Sequence, residues 1–530
     1  MLLLAAAAAA ALTFVDVAQE AGLRFRLDQS PTAEKHMIET VAGGLAAFDF
    51  DGDGLTDLFF ANGAAIPSMD KSAPRFWNRL YRNDGNWKFR DVTEAAGLKG
   101  IGYSMGAAVA DFDNDGRPDL FVAGVYRSIL YRNLGGGRFE DVTIKSGIKS
   151  DQWSITAGWF DYDNDGLLDL WVVNYSTWSA KNPRFCGDSA RGIRVYCHPK
   201  YFEPVANQLY RNRGHGVFED VTVRSGVAAH KGRGMGIAFG DYDADGRLDV
   251  FVTNDNLPNF LFHNARAGKF EEVALAAGVA MLDSGKPVAS MGAEWRDYDH
   301  DGRADLAITA LAGETFPLFH AEAGGLFRDA THSSKLAPLV ARKSGWGVNW
   351  GDFDNDGWPD LFTANSHVND VIEKFEAYRY EEPNSLFRNR GDGTFADDSS
   401  AFAGSVRAHR GSVAADFDND GRLDVAVAAL GANAELWRNT TAAAGNWVRV
   451  ILEGKRSNWD GIGARVQVGR QTAWMQTAAS YSSTGHAGLH FGLGNEAATG
   501  KVTITWPSGV AQVMEGVKAG QVLRVVEPGN

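Results

Sequence analysis

The sequence predicts an all-β chain, with a seven-bladed β-propeller over residues 13–440 and a small C-terminal β-sandwich-like domain over 447–527. Three observations carry this. An acidic stretch of the form Asp-Phe/Tyr-Asp-x-Asp-Gly-x-x-Asp occurs seven times. Each copy sits in the same succession of short β-prone runs. Beyond residue 440 that succession stops and a different alternation begins. Four short strands per unit, with loop-to-loop spacings of 62, 50, 80, 56, 55 and 64 residues, describe a propeller blade.

The acidic stretches come first because every unit is built around one. Their aspartates are Asp49, Asp51, Asp53 and Asp57; Asp111, Asp113, Asp115 and Asp119; Asp161, Asp163, Asp165 and Asp169; Asp241, Asp243, Asp245 and Asp249; Asp297, Asp299, Asp301 and Asp305; Asp352, Asp354, Asp356 and Asp360; and Asp416, Asp418, Asp420 and Asp424. Carboxylates two residues apart, with glycine where the chain must turn, form an oxygen-lined loop suited to a hard cation, and Ca²⁺ is the natural occupant. Position 7 would lend its backbone carbonyl, so its side chain is free to vary: Leu55, Arg117, Leu167, Arg247, Arg303, Trp358 and Arg422. Up to seven calcium ions are expected. These loops are not EF-hands, which need a bidentate Glu at position 12 and a following helix. Position 12 is here Phe60, Val122, Val172, Val252, Ile308, Thr363 and Val427, within β-prone runs.

Charge follows from the loops. The formal net charge is −14, and the seven loops carry 28 of the 66 acidic residues. Filled with calcium, the protein would be nearly neutral. There is no basic run and the charge has the wrong sign for a nucleic-acid binder. A core is well supplied, with 45% hydrophobic residues, 31 Phe and 15 Trp.

Around each loop the order is constant. A small-residue strand precedes it, as in Met105-Gly-Ala-Ala-Val-Ala, and an apolar strand follows. A third run reads Leu80-Tyr-Arg-Asn83, Leu130-Tyr-Arg-Asn133 or Leu209-Tyr-Arg-Asn212, and a fourth reads Phe89-Arg-Asp-Val-Thr93 or Phe139-Glu-Asp-Val-Thr143. The seventh unit lacks its fourth run, and a matching Phe14-Val-Asp-Val17 stands at the start of the chain. That strand is expected to complete the last blade and close the ring, removing an unpaired edge. Alternating strand direction puts the insertions 62–78, 174–207 and 364–384 on the face opposite the acidic loops. Long loops on one face of a rigid scaffold are the usual place for binding, and Trp178, Arg194, Tyr196 and Tyr201 are the candidate partner-binding residues. Cys186 and Cys197 lie in the same insertion, and in an oxidising compartment a local disulfide is expected. Residues 1–12, apolar and alanine-rich, read as a signal segment too short to span a bilayer, which points to a secreted, periplasmic or cell-surface protein with no transmembrane segment.

From Trp447 the chain alternates as Val448-Arg-Val-Ile-Leu452, Ala464-Arg-Val-Gln-Val468 and Val502-Thr-Ile-Thr-Trp506, an antiparallel β pattern. Its two histidines, His486 and His490, have no acidic cluster beside them in the sequence.

Together these residues resemble the FG-GAP/VCBS repeat propellers, which are related to the integrin α-subunit head. Asp460-Gly-Ile-Gly-Ala-Arg465, Leu489-His-Phe-Gly-Leu-Gly494 and Trp506-Pro-Ser-Gly509 resemble the ASPIC/UnbV domain of cartilage acidic protein-like proteins. The resemblance implies a secreted calcium-binding adhesion or matrix-type protein, a scaffold holding an extracellular protein or glycan. The alternatives are a carbohydrate-active lyase or dehydratase, since some metal-containing propellers of this repeat class act on carbohydrates, or an accessory protein of a biosynthetic cluster. No nucleophile elbow, phosphate loop or zinc spacing is present, and no catalytic residue is assigned.

Overall fold

A computed structural model describes residues 11–149, 151–181, 183–442 and 444–529. The first ten residues of the expected signal segment lie outside these. Leu12, also assigned to that segment, instead belongs to the folded body, buried with Phe14, Phe353 and Phe402.

Each repeat unit forms a four-stranded antiparallel sheet. Sheet 1 orders its strands Leu45–Phe48, Asp57–Phe60, Arg79–Asn83 and Phe89–Asp91. Sheets 2 to 6 begin with Ser104–Ala110, Ser154–Phe160, Gly234–Gly240, Ala293–Arg296 and Gly345–Gly351. Sheet 7 contains His409–Ala415, Asp424–Ala429, Glu435–Asn439 and the N-terminal strand Phe14–Asp16, with Phe14 opposite Asn439 and Asp16 opposite Trp437. Each first strand packs on the first strand of the next sheet, and that of sheet 7 returns to sheet 1. The fold is a β-propeller. Between sheets the core is aromatic: Phe112 stacks on Trp159 and Phe160 on Phe239, with ring centroids 5.9 and 4.7 Å apart.

The asparagine ending each Leu-Tyr-Arg-Asn run acts as a latch between sheets. The Asn133 amide donates to the Pro118 carbonyl of its own loop at 3.1 Å and to the Phe50 carbonyl of the preceding sheet at 2.9 Å. Its backbone N–H donates to Asp119 Oδ1 at 2.7 Å. Asn212, Asn264, Asn389 and Asn439 reach back to Phe112, Tyr162, Tyr298 and Phe353 in the same way, and Asn83 reaches Phe417 of sheet 7. Sheet 5 carries Ala321 at this position. Asn133→Ala would leave two carbonyls without this partner, and each buried unsatisfied group costs about 1–3 kcal/mol. The expected loss is therefore about 2–6 kcal/mol, read by urea unfolding; a loss below about 0.5 kcal/mol would show that the carbonyls find other donors.

The C-terminal domain has two sheets. One orders Leu489–Gly494, Asn446–Glu453 and Gln521–Val526, and the other orders Gln471–Trp474, Arg465–Val468, Lys501–Thr505 and Ala511–Glu515. They enclose Val448, Val450, Val466, Phe491, Ile504 and Trp506. The pattern is not wholly antiparallel, because Gln521–Val526 runs parallel to Asn446–Glu453.

This domain is not a detached unit. Residues 477–487 leave it and enter the middle of the ring, where Ser483–His486 pairs parallel to the first strand of sheet 1, Thr484 opposite Ala46 and His486 opposite Phe48. At the tip, Tyr481 is fully buried, donates to the Val41 carbonyl at 2.6 Å and meets Trp346 edge-on. The first strands must leave room for it. A Cβ on Gly44 would lie 2.1 Å from the Ser482 carbonyl oxygen, and one on Gly411 would lie 2.5 Å from Ser483 Oγ.

Candidate functional site

The acidic loops are pre-shaped by their own hydrogen bonds. In the second, Asp111 Oδ1 accepts from the Asp115 N–H at 3.1 Å and Oδ2 from the Gly116 N–H at 2.6 Å. Asp119 Oδ2 accepts from the Phe112 N–H at 3.2 Å. Position 4 is left-handed in all seven loops, which favours asparagine and glycine: Asn114 has φ 55° and Gly52 has φ 76°, while Ala244 and His300 hold the same conformation at 61° and 63°. Positions 1 and 9 thus brace the turn, and positions 3 and 5 are presented at its mouth.

The donors suit a hard cation. Ligand oxygens of Asp49, Asp51 and Asp53, of Asp111, Asp113 and Asp115, and of Asp161, Asp163 and Asp169 converge within 4.8 Å of one another. One buried carboxylate oxygen of Asp113, of Asp163 and of Asp418 has no hydrogen-bond partner. Burial first, then the neighbouring carboxylates, pushes Asp111 up to about 8 and Asp297 up to about 7. A divalent cation would relieve this repulsion, held by carboxylates at positions 1, 3, 5 and 9 and the carbonyl at position 7.

The sequence reading missed one partner of these loops. The third residue of each Leu-Tyr-Arg-Asn run turns onto the carboxylates: Arg82 Nε lies 2.5 Å from Asp51, Arg132 Nε 2.6 Å from Asp113, and Arg211 Nη2 2.6 Å from Asp163. Sheets 4 and 5 use His263, 3.3 Å from Asp249, and His320, 3.1 Å from Asp299. The repetition of a basic residue at that position was the available signal.

The C-terminal domain covers this loop face. The Asn114 side chain accepts from the Trp459 N–H at 2.8 Å, Arg449 Nη2 donates to Asn419 Oδ1 at 2.7 Å, and His490 Nε2 is 2.7 Å from Asn355 Oδ1. It therefore grips position 4 of loops 2, 7 and 6. His486 has an acidic partner after all, since Asp460 Oδ1 is 3.0 Å from its Nε2. Asp460 also accepts the Asp111 N–H at 2.8 Å. Burial pushes the His486 imidazole down, but the Asp460 and Asp111 charges outweigh it and its pKa is raised.

The opposite face carries the insertions. Cys186 and Cys197 are joined as a disulfide with Cα atoms 5.3 Å apart. Tyr201 remains 48% exposed, with the Arg184 guanidinium 4.5 Å above its ring. Trp178 is half-buried, edge-on to His36, and its backbone N–H donates to the Tyr126 hydroxyl at 2.7 Å. Trp178, Tyr201 and Cys197 border a cavity of 310 Å³ that also touches Lys35, Arg184 and Phe202. Tyr196 and Arg194 are placed differently. Tyr196 packs on the core and its hydroxyl donates to Glu39 at 3.3 Å, while Arg194 Nη2 donates to the Arg184 carbonyl at 2.8 Å. Both hold the insertion in shape. The ring's mouth on this face is crossed by Met37–Glu39, and the buried Arg410 donates from Nε to the Thr40 carbonyl at 2.7 Å. Among the described residues no helix is long and apolar enough to cross a membrane.

Comparison with known proteins agrees with this architecture. Stretches 49–122, 117–172, 201–252, 241–308, 297–363 and 373–427 match the FG-GAP-like repeat family, and 454–530 matches the family described as ASPIC and UnbV. Curated relatives include cartilage acidic protein 1 of Homo sapiens, 28% identical over 340 residues (61% of this chain, 48% of the relative), and of Mus musculus, 28% over 343 residues (62% and 50%). The chain spans about half the length of the curated relatives it matches. Solved structures that it resembles include YCF48 bound to D1 peptide (TM-score 0.44, 8% identity, covering 82% of this chain and 100% of that one). Another is an Agrocybe aegerita lectin described as recognising non-reducing terminal N-acetylglucosamine (TM-score 0.38, 14% identity, covering 74% and 87%). At these scores the fold rests on the chain's own sheets and repeats. The chain belongs to the FG-GAP-like repeat family and carries an ASPIC and UnbV domain after its repeats.

Proposed function

We propose that the chain is an extracellular, calcium-stabilised binding scaffold that holds a protein or glycan on its insertion face. The observation that carries this is the asymmetry of the two faces. The acidic-loop face is covered by the C-terminal domain, whereas the insertion face presents Trp178, Tyr201 and Arg184 around an open cavity. Aromatic and arginine side chains dominate binding energies at interfaces. An exterior location is supported by the Cys186–Cys197 disulfide.

Because Tyr196 and Arg194 shape the insertion, the informative variant spares them. Trp178→Ala with Tyr201→Ala is expected to weaken capture of a partner at least tenfold, in a glycan array or a pull-down from the native exterior, with the melting temperature nearly unchanged. Tyr196→Ala should lower the melting temperature instead. Full binding by the double variant would overturn the assignment of this face.

A further inference from the structure

A second cavity, of 540 Å³, lies on the other side of the ring, between the first two acidic loops and the C-terminal domain. That is within the range of about 300–1,000 Å³ typical of small-ligand pockets. One wall is loop 1, whose position 4 is Gly52. With no side chain there, the grip applied to Asn114, Asn355 and Asn419 has no counterpart, and a Cβ on Gly52 would meet nothing within 4 Å.

The facing wall is the sheet of Asn446–Glu453 and Gln521–Val526. Ile451 stands opposite Arg524 in their parallel register. Period-two alternation then puts Arg449, Ile451 and Arg524 on one face, while Val448, Val450 and Leu452 fill the domain core on the other. Trp459 and His486 complete the enclosure.

The charges in this space are unevenly satisfied. Asp51 is paired with Arg82, and Asp49 accepts the N–H groups of Gly52, Asp53 and Gly54. Asp460 is paired with His486, Glu453 with Lys455, and Arg117 with Asp115. Two guanidiniums keep unused hydrogen-bonding capacity. Arg524 is exposed and has no ion-pair partner among the described residues. Arg449 is 5% exposed; Nη2 donates to Asn419 Oδ1 at 2.7 Å and Nη1 to the Asp416 carbonyl at 3.4 Å, the Asp416 carboxylate lies 3.9 Å from Nη1, and Nε is buried without an acceptor. Burial, and after it the like charge of Arg524, outweighs the attraction of Asp416 and holds the Arg449 pKa below the usual arginine value. Arg524, without an ion pair, and the open Nε of Arg449 face one cavity and are complementary to an anionic ligand, and guanidinium geometry matches a carboxylate. The indole of Trp459, with Lys455 Nζ 4.6 Å from its ring centroid and Glu453 as an acceptor beside it, suits a polyhydroxylated acidic ring.

We propose that this cavity binds an acidic saccharide, its carboxylate on Arg449 and Arg524 and its ring against Trp459. The site is separate from the insertion face and does not depend on the function proposed there.

The test is calorimetric titration of the full chain in calcium-containing buffer with glucuronate, galacturonate, glucose and acetate. A uronate should bind, with glucose and acetate at least tenfold weaker. Arg524→Ala should weaken uronate binding about tenfold or more, the loss of one charge-assisted contact, and Arg524→Lys should recover part of it. Because Arg524 is exposed, neither change should move the melting temperature, and Trp178→Ala with Tyr201→Ala should leave uronate binding unaltered. The proposal is overturned if no uronate binds, if glucose or acetate binds as well as the uronates, or if Arg524→Ala keeps full affinity.

Discussion

Chelating calcium is expected to lower the melting temperature by well over 10 °C, and readdition of calcium should restore it. Each loop gathers four carboxylates, and burial, with mutual repulsion, pushes those at positions 1 and 9 toward the protonated form; Asp249, for example, is raised to about 8. An ion that binds only the folded loop stabilises it by mass action, about 4 kcal/mol per site when free calcium is 1,000 times Kd. Three such loops would contribute about 12 kcal/mol, comparable with the whole stability of an ordinary domain, about 5–15 kcal/mol. The Asn latches of six sheets tie the acidic loop to its own third strand and reach the preceding sheet, so the loss should spread around the ring. Magnesium should restore less, because it demands a smaller octahedral site and keeps its water. Superimposable melting curves with and without chelator would remove calcium from the account of stability.

The second large effect belongs to Tyr481. Tyr481→Ala empties the tip of the inserted segment against Trp346, whose ring has the Arg410 guanidinium 3.9 Å over it, and leaves the Val41 carbonyl without its donor. Truncating a buried aromatic costs about 3–5 kcal/mol, and about 4 kcal/mol is expected here, measured by the urea midpoint. Tyr481→Phe removes only the hydrogen bond and should cost about 1 kcal/mol. Because residues 483–486 form part of sheet 1, the repeats and the C-terminal domain should unfold in one transition, followed through tryptophans such as Trp346 and Trp506. Two separate transitions, or an unaffected midpoint, would show the inserted segment to be a passive filler.

The sequence alone determined the features that repeat or that act over a few residues. The acidic loops were legible because Asp at positions 1, 3, 5 and 9 and Gly at position 6 answer a local demand for oxygen donors and a sharp turn. The strand order was legible because each unit restates it, and the place of Phe14–Asp16 because one run was missing at the other end. Tertiary structure decided what depends on residues distant in the chain. Nothing local to Asn83 shows that its amide reaches Phe417, and nothing local to Arg132 shows that it faces Asp113. Nothing local to Ser480–Thr484 marks it as the segment that enters the ring, and the small residues lining the ring admit it to the centre. His486 looked solitary because Asp460 lies 26 residues away and meets it only when the inserted segment turns back toward the acidic loops. Tyr196 and Tyr201 are alike in composition and five residues apart, yet one points to Glu39 and the other to solvent. Residue type and spacing specify local geometry; which side of a surface a side chain occupies is decided by what packs beneath it.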